Sequence, residues 1–295
     1  MSLAAAQPGA ADAFARRFAE HRAAKRRLHV LYGGLFAAAL VASAIIGEVD
    51  PARLAAGLPN IVDYIARTLP PLRAERVAHD LGEWFWGIDL WLILLGDTVL
   101  MAIVGTVAGG LIGLVLCFDA AGNLARGPAG FFLARRLLDL LRSVPELVFA
   151  LIFVFAFGPG PFAGVIALGL HAGGALGKLF AEVVENAEPG PLQAVEAAGG
   201  SRLHVIRFAV VPQVLPNMLS YLLLRFEINV RSASVLGVVG AGGIGEELYL
   251  VVRQFIYADI SAIVLLILVT VSVIDMLCER LRLGLIESAP QAVPR

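Results

Sequence analysis

The sequence predicts an all-α membrane protein with about six transmembrane helices, and two observations predict this class. Hydrophobic residues make up 59% of the 295 residues and charged residues 16%, whereas soluble domains carry roughly 25% charged residues. Several apolar runs also reach the length of about 20 residues that a helix needs to cross a bilayer. These runs are continuous and lack the alternation of a barrel strand, so a multispanning helical protein surrounded by membrane lipid is expected.

The N-terminal region falls into three segments. Residues 1–27 form a polar tail that ends in the basic stretch RRFAEHRAAKRR, residues 28–47 are apolar, and residues 48–87 are mixed and punctuated by proline. The apolar run could be the core of a signal peptide, because the Ala-Ser-Ala at 42–44 resembles a cleavage site. Its near-spanning length and the long basic region favour an uncleaved first transmembrane helix, followed by an extracytoplasmic segment with short helices.

Five more apolar runs are expected to form a helical core over residues 88–283. Three tryptophans, Trp84, Trp86 and Trp91, cluster at its start and mark a membrane–water interface. Pro145 is expected to kink or break the run that contains it, because proline removes a backbone hydrogen bond from a helix. The runs cover about residues 88–118, 131–158, 162–184, 206–230 and 260–278.

The distribution of Lys and Arg predicts the orientation in the membrane, because cytoplasmic segments are rich in these residues. The basic N-terminal tail is therefore expected in the cytoplasm. Six crossings would return the loop at 185–205 and a C-terminal tail at 284–295 to the cytoplasm, and would leave residues 48–87 and 231–258 outside. We expect a protein integral to the plasma (inner) membrane with both termini cytoplasmic.

A glycine-rich segment at 232–245 contains GAGGIG, which fits the G-x-G-x-x-G spacing of a dinucleotide-binding turn. Asp259 even follows at about the distance of a ribose-binding carboxylate. That fold needs a strand before the turn and a parallel sheet around it, and the segment instead lies between two apolar runs. We interpret it as a broken, close-packed or re-entrant turn, with an ordinary outer loop as the alternative. Its candidate gate residues are Gly240, Gly242, Gly243 and Gly245.

The cytoplasmic loop reads as a helix, a turn and a second helix. Pro191 is typical of a helix start, and Gly199-Gly200 of a helix end. Ser201 is a good N-cap for a second helix that continues into the membrane. A short helix lying across the cytoplasmic face suits contact with a cytosolic partner, because a rigid helix can transmit displacement to the spanning helices.

This segment resembles the EAA coupling loop of ABC-importer permeases. The family pattern is Glu-Ala-Ala, a Gly three residues on, and a hydrophobic-Pro pair after a set interval. The pattern fits when it is anchored on Gly199 and Pro212, but the literal EAA at 196–198 then lies three residues late. Glu196 therefore does not inherit the role of the family's first Glu. The resemblance implies ATPase coupling through Gln193, Ala194, Val195, Glu196, Ala197, Ala198, Gly199, Gly200, Ser201 and Pro212.

The resemblance extends over most of residues 88–283, and the stretch RFEINVRSASVLGVVGAGGIG is similar to the phosphonate-type subfamily. It implies the type I ABC-importer permease architecture: a pathway formed with a second copy of the chain, cytosolic ATPase subunits, and an extracytoplasmic binding protein that delivers a phosphonate or related phosphorus oxyanion. The chain contains no G-x-x-x-x-G-K-[ST] loop, so ATP and Mg are expected on the ATPase partner and no cofactor on this chain.

Four polar residues in the run at 206–230 and just after it are candidate pathway residues. Ionisable groups at membrane depth are costly and usually face a cavity or each other. Arg225 and Arg231 could offset the charge of an anion in transit. Glu227 and Arg231 are four residues apart, so they could instead form a structural ion pair. The candidates are Arg225, Glu227, Asn229 and Arg231.

Other function classes find little support in the sequence. The scattered His, Asp and Glu residues form no recognisable catalytic set, and Cys117 and Cys278 lack metal-ligand spacing. No basic tract interleaved with aromatics predicts nucleic-acid binding. A permease for another small solute, such as an amino acid, is the alternative within the class. A secondary transporter is a further alternative, but it would usually have repeated halves.

Overall fold

The computed structural model describes residues 8–70, 73 and 75–287, and within them every regular element is a helix. Residues 1–7 of the predicted N-terminal tail and residues 288–295 of the predicted C-terminal tail lie outside this range. The chain divides into two compact units, Met1–Ile65 and Ala66–Arg295. Each unit is described in turn.

The first unit consists of helix α1 (Pro8–Ile46) and most of helix α2 (Pro51–Thr68). The basic segment and the first apolar run belong to one helix, because Ala, Arg, Lys and Glu are strong helix formers. The part of α1 that could span a bilayer is His21–Ile46. Asp50 caps α2 by accepting a bond from the Ala52 backbone N–H at 2.9 Å.

The second unit is a helical bundle. The helices are α3 (Val77–Trp84), α4 (Ile88–Ala120), α5 (Pro128–Ser143), α6 (Glu146–Phe157), α7 (Pro161–Glu185), α8 (Pro189–Ala197), α9 (Arg202–His204), α10 (Val211–Leu236), α11 (Ile244–Arg253) and α12 (Tyr257–Glu287), with a π-helical segment at Val205–Val210 and a 3-10 turn at Gly237–Val239. Helices α4, α7 and α12, together with α1, are long and apolar enough to cross a membrane.

Two bent helix pairs bring the candidate spans to six. Helices α5 and α6 meet at 85°, and the helix that ends at Val239 meets α11 at 47°. The first bend falls at Pro145, as the sequence predicts, because proline cannot donate the backbone bond that would continue the helix. The predicted class of about six apolar helices with a broken glycine-rich segment is confirmed.

Glycines let α4 and α7 pack with their backbones in contact. Gly105, Gly109 and Gly113 repeat every four residues on one face of α4 and meet a matching row on α7. A Cβ atom at Gly109 would lie 2.8 Å from the Gly173 backbone nitrogen, and one at Gly113 would lie 2.8 Å from that of Gly177. Small residues favour close helix contacts in lipid, where association depends on packing rather than on the hydrophobic effect. The α4–α7 pair therefore forms the centre of the bundle.

The tryptophan cluster holds the end of α3 and its link to α4 against the start of α12. The indole N–H of Trp84 donates to the Ala258 carbonyl at 3.1 Å, and that of Trp86 donates to the Asp259 carboxylate at 3.1 Å. The Trp91 ring is buried. Asp259, which the dinucleotide hypothesis would use to bind ribose, is thus a partner of an indole in the first turn of α12.

Candidate functional site

The loop after α7 folds as the predicted helix, turn and helix. Helix α8 begins at Pro189, two residues before the expected Pro191, and ends at Ala197. The turn closes with bonds from the Gly199 and Gly200 N–H groups to carbonyls of α8, both at 2.9 Å, and Gly199 has φ +80°, which favours glycine. None of the α8 residues is buried, although Leu192 and Val195 pack against the core with part of their surface.

Ser201 caps the following helix as the sequence predicts. Its hydroxyl lies 2.8 Å from the Nδ1 atom of His204, and its backbone N–H donates to the same nitrogen at 3.2 Å. The helix then widens into a π-helical segment that ends immediately before Val211 and Pro212. Proline has no N–H for the carbonyl four residues earlier, which accounts for the irregular backbone there. The Gln213 side chain bridges it by donating to the Ala209 carbonyl at 2.7 Å and accepting from the Glu188 N–H at 2.9 Å.

Arg202 connects the start of α9 to the loop after α4. Its guanidinium donates to the Leu124 carbonyl at 2.7 Å, to the Phe118 carbonyl at 3.0 Å and to the Asp119 carboxylate at 2.8 Å. Charge-assisted hydrogen bonds are the strong ones in proteins. Arg202 therefore links the segment after α8 to the end of the spanning helix α4. Sequence reasoning missed this role, because the partners lie about 80 residues away.

A second group of hydrogen bonds holds the loop after α4 to α5 and α7. The Glu185 carboxylate accepts from the Gly122 backbone N–H and from the Arg135 guanidinium, both at 2.6 Å. Arg135 also donates to the Ala120 carbonyl at 3.0 Å. The ends of α4 and α7, together with α5 and α9, are thus tied at one end of the bundle, which we call the α8 end.

The Glu146 carboxylate joins three helices of the bundle. It is the first residue of α6, directly after the break at Pro145. It contacts the Nδ1 atom of His171 on α7 and accepts from the Ser232 hydroxyl on α10 at 2.7 Å. The Glu146 carboxylate therefore links α6 to α7 and α10, whereas the nearby Arg142 pairs with Asp139 at 3.3 Å.

Helices α10 and α12 share two ion pairs. The Arg231 guanidinium lies 3.3 Å from Asp275, and the Arg282 guanidinium lies 3.1 Å from Glu227. The possible pair between Glu227 and Arg231 is therefore wrong, because each side chain points across to α12 rather than along α10. In a membrane these bonds offset the cost of the four charges and join α10 firmly to α12.

The other two pathway candidates differ from this pair. Asn229 is fully buried and donates to the Thr106 hydroxyl on α4 at 2.8 Å, so it lies in a contact between helices. Arg225 has no ion pair within the described residues, and its Nε atom is buried without a hydrogen-bond partner. The Glu146 carboxylate is near enough to interact with it electrostatically. Among the four candidates, Arg225 is therefore the cation without an ion pair in the described residues.

The glycine-rich segment is buried, so the alternative of an ordinary outer loop is wrong. Residues 241–245 are buried, and Gly240, Gly242 and Gly243 have φ between +75° and +86°, which side chains rarely adopt. Helix α10 and its 3-10 turn continue to Val239, beyond the predicted end at residue 230, because the chain leaves the helix only where these glycines begin. We call residues 240–243 the glycine turn.

Helices α4 and α7 hold the glycine turn in place. The Ile244 backbone N–H donates to the Thr98 hydroxyl at 2.9 Å, and the Gly160 N–H donates to the Gly240 carbonyl at 2.9 Å. Next to the turn, Gly237 and Gly245 cross so closely that a Cβ atom on either would overlap the backbone of the other segment. The turn is thus a fixed part of the bundle, at the end opposite α8.

Replacing Thr98 with valine is expected to lower the free energy of unfolding by about 1–3 kcal/mol. Valine keeps the shape but leaves the buried Ile244 N–H without an acceptor. Replacement with serine keeps the hydroxyl and is the matched control. The measurement is the thermal unfolding of the purified protein in lipid nanodiscs, and equal melting temperatures for the two variants would contradict the role of this hydrogen bond.

Comparison of the sequence with known protein families identifies the family of the chain, and the matching residues lie in this bundle. Residues 109–283 match the family described as "Binding-protein-dependent transport system inner membrane component". The match spans more than half of the 295 residues and includes α8, the glycine turn and most of α12. The chain belongs to this family. It is therefore a transport permease component of the inner membrane, and the predicted resemblance is confirmed.

Several relatives in this family are transport permeases. The phosphite transport system permease protein PtxC of Stutzerimonas stutzeri is 39% identical over 272 residues, covering 88% of this chain and 94% of that protein. The phosphate-import permease protein PhnE of Mycolicibacterium smegmatis is 37% identical over 244 residues, covering 83% and 44%. The putative cryptic phosphonate transport system permease protein PhnE2 of Escherichia coli is 49% identical over 118 residues, covering 40% and 97%.

Solved structures show the same fold. A chain of the inward-facing MetNI methionine ABC transporter superposes with a TM-score of 0.59 at 20% identity, covering 67% of this chain and 97% of that one. A chain of an amino acid ABC transporter superposes with a TM-score of 0.54 at 18% identity, with the same coverage. The expected type I ABC-importer permease architecture is therefore confirmed.

Proposed function

We propose that this chain is the transmembrane permease subunit of an ATP-driven importer for phosphonates or a related phosphorus oxyanion. The observation that carries the substrate class is the 39% identity, over nearly the full length, to a permease named for phosphite transport. Relatives named for phosphate and phosphonate transport support the same class. The carried solute is then a tetrahedral phosphorus anion.

The complete transporter is proposed to contain a second copy of this chain, cytosolic ATPase subunits with ATP and Mg, and an extracytoplasmic binding protein. The exposed helix α8 would meet the ATPase, and the cytoplasm would then lie at the α8 end together with both termini. Arg202 and Glu185 support this proposal, because they tie the region beside α8 to the ends of α4, α5 and α7. A displacement of α8 would reach the spanning helices through these bonds.

In the proposed pathway, Arg225 is the main contact for the anion. Its guanidinium has no ion pair in the described part of the chain, whereas Arg231 is neutralised by Asp275. A permease must release its substrate, so a cation that contacts the anion only briefly suits transport. The glycine turn is proposed to close the pathway at the end opposite α8, where Gly242 and Gly243 pack against Pro161 and Thr98.

The proposed function is tested by reconstitution in liposomes. The chain is combined with the ATPase and the binding protein encoded beside it in the genome. ATP is enclosed in the liposome lumen, on the side where the ATPase is bound, and uptake of phosphite, methylphosphonate and phosphate is measured. ATP-dependent uptake of at least one of these anions is expected. Uptake of methionine or another amino acid in place of these anions would contradict the substrate class. Uptake driven by an ion gradient without ATP would contradict the importer mechanism.

A further inference from the structure

Within the bundle, one carboxylate on α6 contacts polar groups from two other helices. Glu146 on α6 is held by the His171 ring on α7 and by the Ser232 hydroxyl on α10. The Glu146 and His171 side chains are 26% and 17% exposed, so the cluster is partly accessible rather than sealed in the core. A carboxylate with this many partners at membrane depth usually marks a functional position.

Arg225 belongs to the same cluster by position and charge. It lies seven residues before Ser232, which is two helical turns, so both side chains leave the same face of α10. The Glu146 carboxylate is near enough to act on its guanidinium electrostatically, although the two side chains form no ion pair in the described residues. The cluster thus contains one anion, one unpaired cation and two further donors.

We propose that Glu146 is an internal substitute for the transported oxyanion, and that His171, Ser232 and Arg225 form the transient anion site that the substrate enters by displacing the Glu146 carboxylate. This inference rests on the proposed function and names its site. The donor set fits the ligand: a hydroxyl, an imidazole N–H and a guanidinium are donors that bind phosphorus oxyanions in proteins. An arriving oxyanion can take over the bonds that the carboxylate now accepts.

The exchange of one anion for another explains how such a site can be both selective and weak. Bare cations and donors in a membrane would be costly to expose, and an anion that reached them would leave slowly. When Glu146 competes for the same donors, the substrate gains only the difference between two similar sets of bonds. After the anion leaves, Glu146 returns and restores the contact between α6, α7 and α10.

The inference predicts opposite effects on binding from two substitutions. The equilibrium binding of radiolabelled phosphite is measured on the permease–ATPase complex in nanodiscs without the binding protein. Glu146→Gln removes the competing charge and is expected to tighten binding by about tenfold. Adding Ser232→Ala to that variant removes a donor and is expected to reverse the gain. Ser143→Ala is the control in the same background, because Ser143 is exposed at the nearby bend and bonds only to the Leu140 carbonyl in the described structure.

Uptake in liposomes keeps the inference testable if Glu146→Gln does not fold. Ser232→Ala in the otherwise unchanged chain is expected to lower the rate of phosphite uptake severalfold, and Ser143→Ala to leave it unchanged. Two results would overturn the inference: Glu146→Gln binds phosphite no more tightly than the unchanged chain, or Ser232→Ala and Ser143→Ala take up phosphite at equal rates. In either case, phosphite uptake by the unchanged protein would still uphold the proposed function. If the unchanged complex transported no phosphorus oxyanion, the proposed function would fail, and the inference with it.

Discussion

Transport is expected to be lost when Gly245 is replaced with alanine. A Cβ atom at this position would overlap the Ser234 carbonyl oxygen and lie 3.2 Å from the Gly237 Cα atom. The obstacle is backbone, which cannot rotate away as a side chain can, so the cost is expected at or above about 3 kcal/mol, the upper range for overpacking. The bend beside the glycine turn would open, and the end of the pathway opposite α8 with it. ATP-driven uptake and the melting temperature in nanodiscs measure the two effects.

Gly96→Ala is the matched control for this prediction. Gly96 also lies in an apolar helix, but a Cβ atom there would have no atom within 4 Å among the described residues, so alanine is expected to be neutral or slightly stabilising. Binding of the ATPase to Gly245→Ala is expected to survive, because α8 lies at the other end of the bundle. Normal uptake by Gly245→Ala would show that the close crossing of Gly237 and Gly245 is not required for transport.

Replacing Arg202 with alanine is expected to separate ATP hydrolysis from transport. The substitution removes three bonds from the segment after α8 to the last turn of α4 and the loop that follows it, each of them charge-assisted. Helix α8 itself is unchanged and exposed, so the ATPase is expected to bind and to hydrolyse ATP. A displacement of α8 would then no longer be transmitted to α4, and the number of anions transported per ATP hydrolysed is expected to fall by about tenfold. Parallel measurements of uptake and phosphate release give this ratio.

Arg126→Ala is the control for the coupling prediction. Arg126 pairs with the same Asp119 carboxylate, but at 3.6 Å and with a largely exposed side chain, and such a pair contributes little. Its transport ratio is expected to stay near that of the unchanged protein. Arg202→Lys is expected to lie between the two, because an ammonium group cannot reproduce the planar fork of the guanidinium. An unchanged ratio in Arg202→Ala would place the coupling route elsewhere.

The parts of the fold that the sequence predicts are those governed by local patterns. Each apolar run became a helix or a bent pair of helices, because lipid requires the backbone to satisfy its hydrogen bonds within the segment. Pro145, Ser201 and Gly199 mark helix ends through their own backbone chemistry. The helix-turn-helix around α8 could therefore be predicted from about fifteen residues, although its start was displaced by two.

The charged and polar contacts could not be predicted in this way. Glu227 and Arg231 have the spacing of a pair on one helix face, yet each bonds to α12. Whether a charge turns along its own helix or across to another depends on which helix lies beside it, and that is a long-range property. For the same reason the partners of Glu146 could not be predicted. They are His171 and Ser232, which lie 25 and 86 positions further along the chain.

The sequence by itself determined the class, the apolar helices, their breaks and the resemblance to the importer permeases, because hydropathy, proline, glycine and capping residues act within a few turns of chain. The tertiary structure decided that Arg225 has no ion pair in the described residues, which polar groups contact Glu146, and where the helix next to α8 is attached. Those outcomes depend on helix packing, which brings residues as distant as Asp119 and Arg202 to 2.8 Å. The glycines of GAGGIG combine both: their backbone freedom is local, and their burial between α4 and α7 is tertiary.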